Sequence, residues 1–230
     1  MLGAVVLIVG GYLLGALPFA VALAAASDAD PSARDIHIEL WHHGGKVHAT
    51  LAALVDVLKG VFPVLVGFGF GLPIEVVALS GVAAVCGQMW PPMLGHGEKG
   101  NSTGAGALVT LLLCYHAYLP LLSVLPFAAG SVMRLYALSR ESPEWRDSGH
   151  PVSLALPLGM LLGFASCPVL CWLSGHPQAL VVGSFLLLTA IVIRRLTAGL
   201  TQDLSVGAKM GTVLLRRLLF DQSLLERSLY

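Results

Sequence analysis

Three stretches of the chain carry side chains able to do chemistry. The first is Gly95-His-Gly-Glu-Lys99-Gly100-Asn-Ser102-Thr103-Gly104. A glycine-rich loop brings backbone N–H groups close to an anion, and Ser102 or Thr103 can cap a following helix whose N-terminus favours phosphate. Lys99 adds a mobile positive charge beside Gly97 and Gly100. The order GxxxxGK[ST] is absent, so this is not a nucleotide P-loop, and a plain turn between helices is the competing reading. The second stretch is Asp56-Val-Leu-Lys59-Gly60, an acid and a base at i,i+3 within apolar sequence. Such groups are costly in lipid and either pair with each other or serve function. Lys59 therefore either neutralises Asp56 or reaches an anionic ligand. The third holds His37, His42, His43 and His48 beside Asp35 and Glu39. Imidazoles here can act as general bases or metal ligands, but the spacing matches no tight metal motif and solvated histidines explain them as well. No metal and no cofactor is expected. Ser153, just after Pro151, can cap a helix or contact a head group. Arg194 and Arg195 end an apolar run, where long cationic side chains reach back to the interface.

The elements that carry these residues are membrane helices. Of 230 residues, 56% are hydrophobic and only 11% charged, with mean hydropathy +0.82. A soluble domain has about 25% charged residues, so the solvent for this surface is lipid. The net charge is zero, which gives no case for nucleic-acid binding. Leu2–Ala26 lacks any charge and is too long for a signal-peptide core; no Lys or Arg precedes it, and it is read as a first span. Further apolar runs cover 49–70, 73–94, 104–138, 151–174 and 178–193. As one helix, 104–138 would be about 50 Å long, too much for one crossing of about 30 Å. Divided by a turn near Tyr115–Pro120, it brings the total to about seven spans. Of the thirteen Lys and Arg residues, all but Lys59 then fall on one side or at its edge. The positive-inside rule makes that side cytoplasmic, with the N-terminus outside and the C-terminus inside. The expected fold is thus an all-α polytopic membrane protein, multi-pass in the cell membrane.

Two domains of unequal kind are expected: a seven-helix membrane domain over 1–200 and a cytoplasmic helical tail over 201–230. In the tail Leu214, Leu218, Leu225 and Leu229 share a face, which suits a helix lying on an anionic leaflet. Cys86, Cys114, Cys167 and Cys171 sit in or beside apolar runs and read as small buried hydrophobes rather than a disulfide framework.

In this order the motifs resemble the acyl-phosphate-dependent glycerol-3-phosphate acyltransferases of bacterial phospholipid synthesis. The likeness runs through Gly11-Tyr-Leu-Leu-Gly-Ala-Leu-Pro-Phe19, Asp56-Val-Leu-Lys-Gly60, Gly87-Gln-Met-Trp-Pro91, Gly97-Glu-Lys-Gly-Asn-Ser-Thr103, Val152-Ser-Leu154 and Arg195-Leu-Thr-Ala-Gly199. It covers about residues 3–200. It implies seven spans, polar motif loops on the cytoplasmic face, and transfer of a fatty acyl chain from acyl phosphate to glycerol 3-phosphate, giving lysophosphatidic acid. Neither coenzyme A nor acyl carrier protein takes part. Residue by residue, Lys99, with Gly97 and Gly100, matches the Gly-Gly-Lys-Gly loop, in which Glu98 replaces a glycine. Lys59 matches the Asp-x-x-Lys-Gly lysine. Ser102, Thr103, Ser153 and Arg195 fall in the remaining motifs and are implied to bind substrate or phosphate.

The chain also departs from the pattern. The first-loop signature Gly-Ser-Gly-Asn-x-Gly-Ala-Thr-Asn is replaced by Asp35-Ile-His-Ile-Glu-Leu-Trp-His-His-Gly44, its nearby arginine aligns with His42, and the histidine before the second loop is Gln88. His42 or His43 is then the expected substitute base. The alternatives are a catalytically reduced relative that binds acyl or lipid phosphate without turnover and, more distantly, a small membrane transporter.

Overall fold

The structure is a computed structural model that describes residues 1–33, 35–92, 97–139, 151–205 and 209–221; the side chains of 137, 138, 151–154 and 202 are not described. Every regular element among the described residues is helical. The chain divides into two compact units, residues 1–116 and 117–230.

The first unit opens with α1 (Leu2–Gly15) and α2 (Phe19–Ala25). The sequence reads as one uninterrupted span here, yet the helix breaks over Ala16–Pro18. Pro18 has no N–H to donate and pushes Leu17 out of helical conformation. The short helix α3 (Ile36–Glu39) starts where the Asp35 side chain accepts a hydrogen bond from the Ile38 N–H, and it runs into a π-helical turn over Leu40–Gly44. Gly45, with φ +94°, redirects the chain into α4 (Lys46–Gly69). α5 (Ile74–Met89) and α6 (Asn101–Cys114) complete the unit.

Small residues let these helices meet backbone to backbone. A Cβ on Gly15 would stand 1.9 Å from the Ala84 carbonyl oxygen, and one on Gly87 would stand 2.0 Å from that of Tyr12. These two glycines form the seam between α1 and α5. Gly60 against the Thr103 carbonyl (1.9 Å) and Gly106 against that of Val57 (2.3 Å) form the seam between α4 and α6. In lipid, where burial of apolar side chains gives no drive, such close approach supplies the van der Waals contact that holds helices together.

The second unit begins with a 3₁₀ turn over Pro120–Ser123 and continues with α7 (Val124–Ser139), α8 (Pro151–Leu173), α9 (Gln178–Thr197), α10 (Leu200–Ser205) and α11 (Met210–Phe220). α7 packs on α8 through Gly159 and through the Phe127 ring, which lies over Gly163 and 4.8 Å from the Phe164 ring. The tail helix α11 rests on α8 and α9. It is fixed by Arg217, which pairs with buried Asp203 (2.6 Å) and also donates to the Ala198 and Gly199 carbonyls. The tail leucines Leu225 and Leu229 lie outside the described residues.

Among the described residues, four stretches are long and apolar enough to cross a membrane: 2–25, 46–69, 155–173 and 178–197. Three shorter apolar helices cover 74–89, 101–114 and 120–136. The long run 104–138 is indeed interrupted around Tyr115–Pro120, as its length requires. Large apolar side chains such as Leu54, Phe62, Trp172 and Phe185 stand exposed on helix faces, a pattern that fits lipid rather than water around the protein.

Candidate functional site

Asp56 is the hub of the polar interior of the first unit. It sits on α4 and is only 1% exposed. Burying a carboxylate so deeply requires partners, and a lysine of the same helix and a histidine of α3 supply them. Lys59, one turn along α4 and 3% exposed, donates from Nζ to Oδ1 at 3.0 Å. His37 on α3 places Nε2 3.0 Å from Oδ2. From α6 the Thr103 hydroxyl donates to the Asp56 backbone carbonyl at 2.7 Å. Thr103 also lies in hydrogen-bond contact with the side-chain oxygen of Gln88, on α5.

Gln88 carries the cluster to the glycine-rich loop. Its Nε2 donates to Glu98 Oε2 at 2.9 Å, and its backbone carbonyl accepts from the Glu98 N–H at 3.1 Å. Glu98 Oε2 in turn stands 3.9 Å from His37 Nε2. Beside it Lys99 reaches Asp35 Oδ2 at 3.4 Å, tying the loop to the cap of α3. Gly97 and Gly100 are needed for the path of this loop. A Cβ on Gly97 would meet the Met89 carbonyl oxygen at 2.1 Å, and Gly100 adopts φ +70° as the N-cap of α6. Ser102 and Thr103 were expected to supply that cap. Gly100 does so instead, without a side-chain bond, because the Thr103 hydroxyl is turned inward to Asp56 and Gln88.

The electrostatics follow from this crowding. Burial pulls the His37 imidazole towards its neutral form, but the hydrogen bond to Asp56 and the charges of Asp56, Asp35 and Glu98 outweigh it, and its pKa is raised. Burial first, then the adjoining Asp56 carboxylate, pushes Glu98 up to about 7, against the opposing pull of His37 and Lys59. Donor atoms of His37, Asp56 and Glu98 lie within 4.8 Å of one another, close enough to share one cation. The positive charge of Lys59 and the amide of Gln88 already serve the two carboxylates there.

The other expected site residues fall as follows. Lys59 is spent on Asp56, the first of the two readings its spacing allowed. His42 and His43 lie on the π-helical turn; His43 Nδ1 is held 2.9 Å from Glu39 Oε1 at the surface. His37, read from sequence as one of four histidines of the first loop, is bonded to Asp56. Ser153 lies on α8 with its side chain outside the described residues. Arg195, in the second unit, is buried and donates to the Leu218 carbonyl and to the Pro157 carbonyl, both at 2.9 Å; its Nε has no partner among the described residues. Next to the loop, a small, shallow cleft opens between the α1–α2 break and α5. It is lined by Gly15 to Pro18, Val21, Gln88, Pro91, Gly97 and Glu98.

Of the residues in this polar cluster, sequence reasoning named His37 only among four histidines and did not pick out Gln88 or Glu98. Buried Asp56 was the available signal: a carboxylate inside a span needs more partners than one lysine. Ile36 and Leu40, both buried at i,i+4, fix the face of the α3 turn that carries His37.

A family profile described as glycerol-3-phosphate acyltransferase matches residues 5–202. A glycerol-3-phosphate acyltransferase of Pseudomonas paraeruginosa is 32% identical over 206 residues, covering 85% of this chain and 93% of that protein. One from Glaesserella parasuis is 35% identical over 114 residues, spanning 47% of this chain and about half (56%) of that relative's length. Among solved structures, PlsY, an integral membrane glycerol 3-phosphate acyltransferase, is similar in its lysophosphatidic acid form (TM-score 0.62, 20% identity) and its glycerol 3-phosphate form (TM-score 0.61, 21% identity). Each covers 89% of this chain and 93% of the other. At that identity they speak for the fold alone.

Proposed function

This chain belongs to the glycerol-3-phosphate acyltransferase family, and on that premise we propose that it moves a fatty acyl chain from acyl phosphate to glycerol 3-phosphate at the cytoplasmic face of the cell membrane. The hydroxyl oxygen of glycerol 3-phosphate bonds to the acyl carbonyl carbon. The bond from that carbon to the phosphate oxygen breaks, and lysophosphatidic acid and inorganic phosphate result.

One observation carries the reading. The Gly97–Thr103 loop, which carries Lys99 and leads into α6, borders through Gly97 and Glu98 a cleft whose other wall is apolar. Both substrates bear phosphate and one bears a fatty chain, so the reaction needs an anion grip next to lipid. The first N–H groups of α6 have no partner within the helix and favour a phosphate there. Lys99 supplies a point charge that leaves Asp35 for a dianion. Asn101 Oδ1 is buried without a partner among the described residues, an acceptor suited to a glycerol hydroxyl. Held donors of this kind stabilise charge as it develops on the departing phosphate.

The same reading takes seven spans, formed by the four long and three shorter apolar helices, with the N-terminus outside and the C-terminus cytoplasmic. The placement of Lys and Arg supports it. The short helices, 14 to 16 residues in α5 and α6, reach only about 21–24 Å at 1.5 Å per residue. That leaves their loops below the head-group level, where a membrane-bound acyl donor presents its reactive end.

The test is product formation by purified protein given glycerol 3-phosphate and palmitoyl phosphate, palmitoyl-coenzyme A or palmitoyl-acyl carrier protein in parallel. Lysophosphatidic acid from palmitoyl phosphate alone, lost in Lys99→Ala, is expected. Product from a thioester and none from the acyl phosphate refutes the donor, and full activity in Lys99→Ala refutes the loop.

A further inference from the structure

The attacking hydroxyl must lose its proton, and neither lysine of the cluster is suited to take it: Lys59 is locked to Asp56, and Lys99 serves as a cation. We propose that Glu98 is the general base that accepts this proton, with Gln88 as its positioning residue. The inference rests on the acyl-transfer reading above.

The geometry points to Glu98 on four counts. It lines the cleft, and its side chain is 21% exposed, whereas the other carboxylate of the cluster, Asp56, is sealed. It directly precedes Lys99 and lies three residues before Asn101 at the start of α6, so it adjoins the phosphate grip. It is pinned twice to the end of α5: its N–H bonds the Gln88 carbonyl, and its Oε2 accepts from Gln88 Nε2. A loop side chain anchored at both backbone and carboxylate keeps its orientation through turnover. Finally, charged and titratable groups surround it from each neighbouring element: Asp56 and Lys59 on α4, His37 on α3, and Lys99 and Asp35 at its flank.

These neighbours set its proton affinity. Burial and Asp56 raise it while His37 and Lys59 lower it, leaving the carboxyl at about 7. An ordinary glutamate is too weak a base at neutral pH, and a group near the working pH is both ionised often enough and basic enough to act. In the step itself the hydroxyl oxygen forms its bond to the acyl carbon as its proton passes to a Glu98 oxygen. The phosphate leaves with the electron pair of the broken carbon–oxygen bond, and the Glu98 proton then passes to that phosphate, restoring the carboxylate. Within the family loop the resemblance places glycine at this position, so the device belongs to this chain.

The experiment compares pH–rate profiles from pH 5.5 to 9 for wild type, Glu98→Gln, Glu98→Asp and His37→Asn, with kcat and KM for glycerol 3-phosphate measured separately. Wild type is expected to lose kcat below a midpoint near 7, because protonated Glu98 cannot accept. Glu98→Gln keeps the shape and the contact to Gln88 and is expected to lower kcat about 100-fold or more, to abolish that acidic limb, and to leave KM nearly unchanged. Glu98→Asp is expected to restore part of kcat together with a limb. His37→Asn removes a cation that favours the ionised form and is expected to move the limb to higher pH. Glu98→Gly, the residue of the family loop, checks activity if Glu98→Gln does not fold. Wild-type kcat without a limb between pH 6 and 8, or full kcat in Glu98→Gln or Glu98→Gly, overturns the base. Wild type making no lysophosphatidic acid from any donor instead overturns the acyl-transfer reading on which it rests.

Discussion

Replacing Lys59 by methionine should destabilise the protein by an amount that depends on pH. Lys59 and Asp56 are 3% and 1% exposed and 3.0 Å apart. Removing one partner of a buried pair costs about 3–5 kcal/mol, because the other charge is left without compensation. Here a second cation stands by. His37 Nε2 is 3.0 Å from the other Asp56 oxygen, and a hydrogen bond to a charged group is worth about 1.5–3 kcal/mol. The pKa of His37 is raised in the folded protein, so its contribution is complete below about 6.5, the unfolded value, and fades as pH rises through the folded value. Lys59→Met should therefore lose least near pH 6 and most near pH 9, the two differing by about 1.5–3 kcal/mol. At about 2–4 °C of Tm per kcal/mol for a chain of this size, the high-pH loss is about 6–20 °C. Thermal unfolding in detergent, followed by a thiol-reactive dye, reads this directly, since Cys86, Cys114, Cys167 and Cys171 are all free and buried or half-buried. Asp56→Asn combined with Lys59→Met removes both charges and should recover most of the loss. A single variant as stable as wild type at pH 9, or a double variant no better than the single, would refute the pairing argument.

Other substitutions probe the rest of the fold. Gly60→Ala puts a methyl group 1.9 Å from the Thr103 carbonyl and should abolish recovery of monodisperse protein on size exclusion, while Gly10→Ala, with nothing within 4 Å, should gain up to about 1 kcal/mol from helix propensity. Thr103→Val removes the donor to the Asp56 carbonyl and should cost about 1–3 kcal/mol by leaving buried acceptors unmet, seen as a lower Tm. In the second unit, Arg217→Met strands buried Asp203 and should cost about 3–5 kcal/mol. Arg217→Lys should rescue little of that in the same thermal assay, because a point charge cannot also serve the Ala198 and Gly199 carbonyls.

What the sequence made legible was what lipid enforces. Long uncharged runs have one reading, and the length of 104–138 alone required the break that lies around Tyr115–Pro120. The tight path of the glycine-rich loop was legible too, since a Cβ on Gly97 would meet the Met89 carbonyl and Gly100 takes φ +70°. The break in the first span at Pro18 was less visible, because proline is tolerated inside membrane helices, as Pro63 within α4 illustrates. The polar cluster around Asp56 was hidden for a different reason. His37, Asp56, and the Gln88–Glu98 pair come from separate parts of the chain, and only tertiary packing decides which of four nearby histidines turns inward. His42 aligns with an arginine position, and the hydrogen bond to Asp56 comes from His37, set by the Ile36 and Leu40 face.

The two glycine seams have a consequence for how this chain can change over time. At Gly15, Gly60, Gly87 and Gly106 the opposing atom is a backbone carbonyl, which no substitution on the facing helix can shrink. A mutation there has no compensating partner mutation, so drift is barred from those positions in either order. Lipid tails, by contrast, accept any apolar side chain, and positions such as Leu13, Leu54 and Phe62, exposed on helix faces, are free to wander. A fold held this way can keep its helix arrangement while most of its letters turn over.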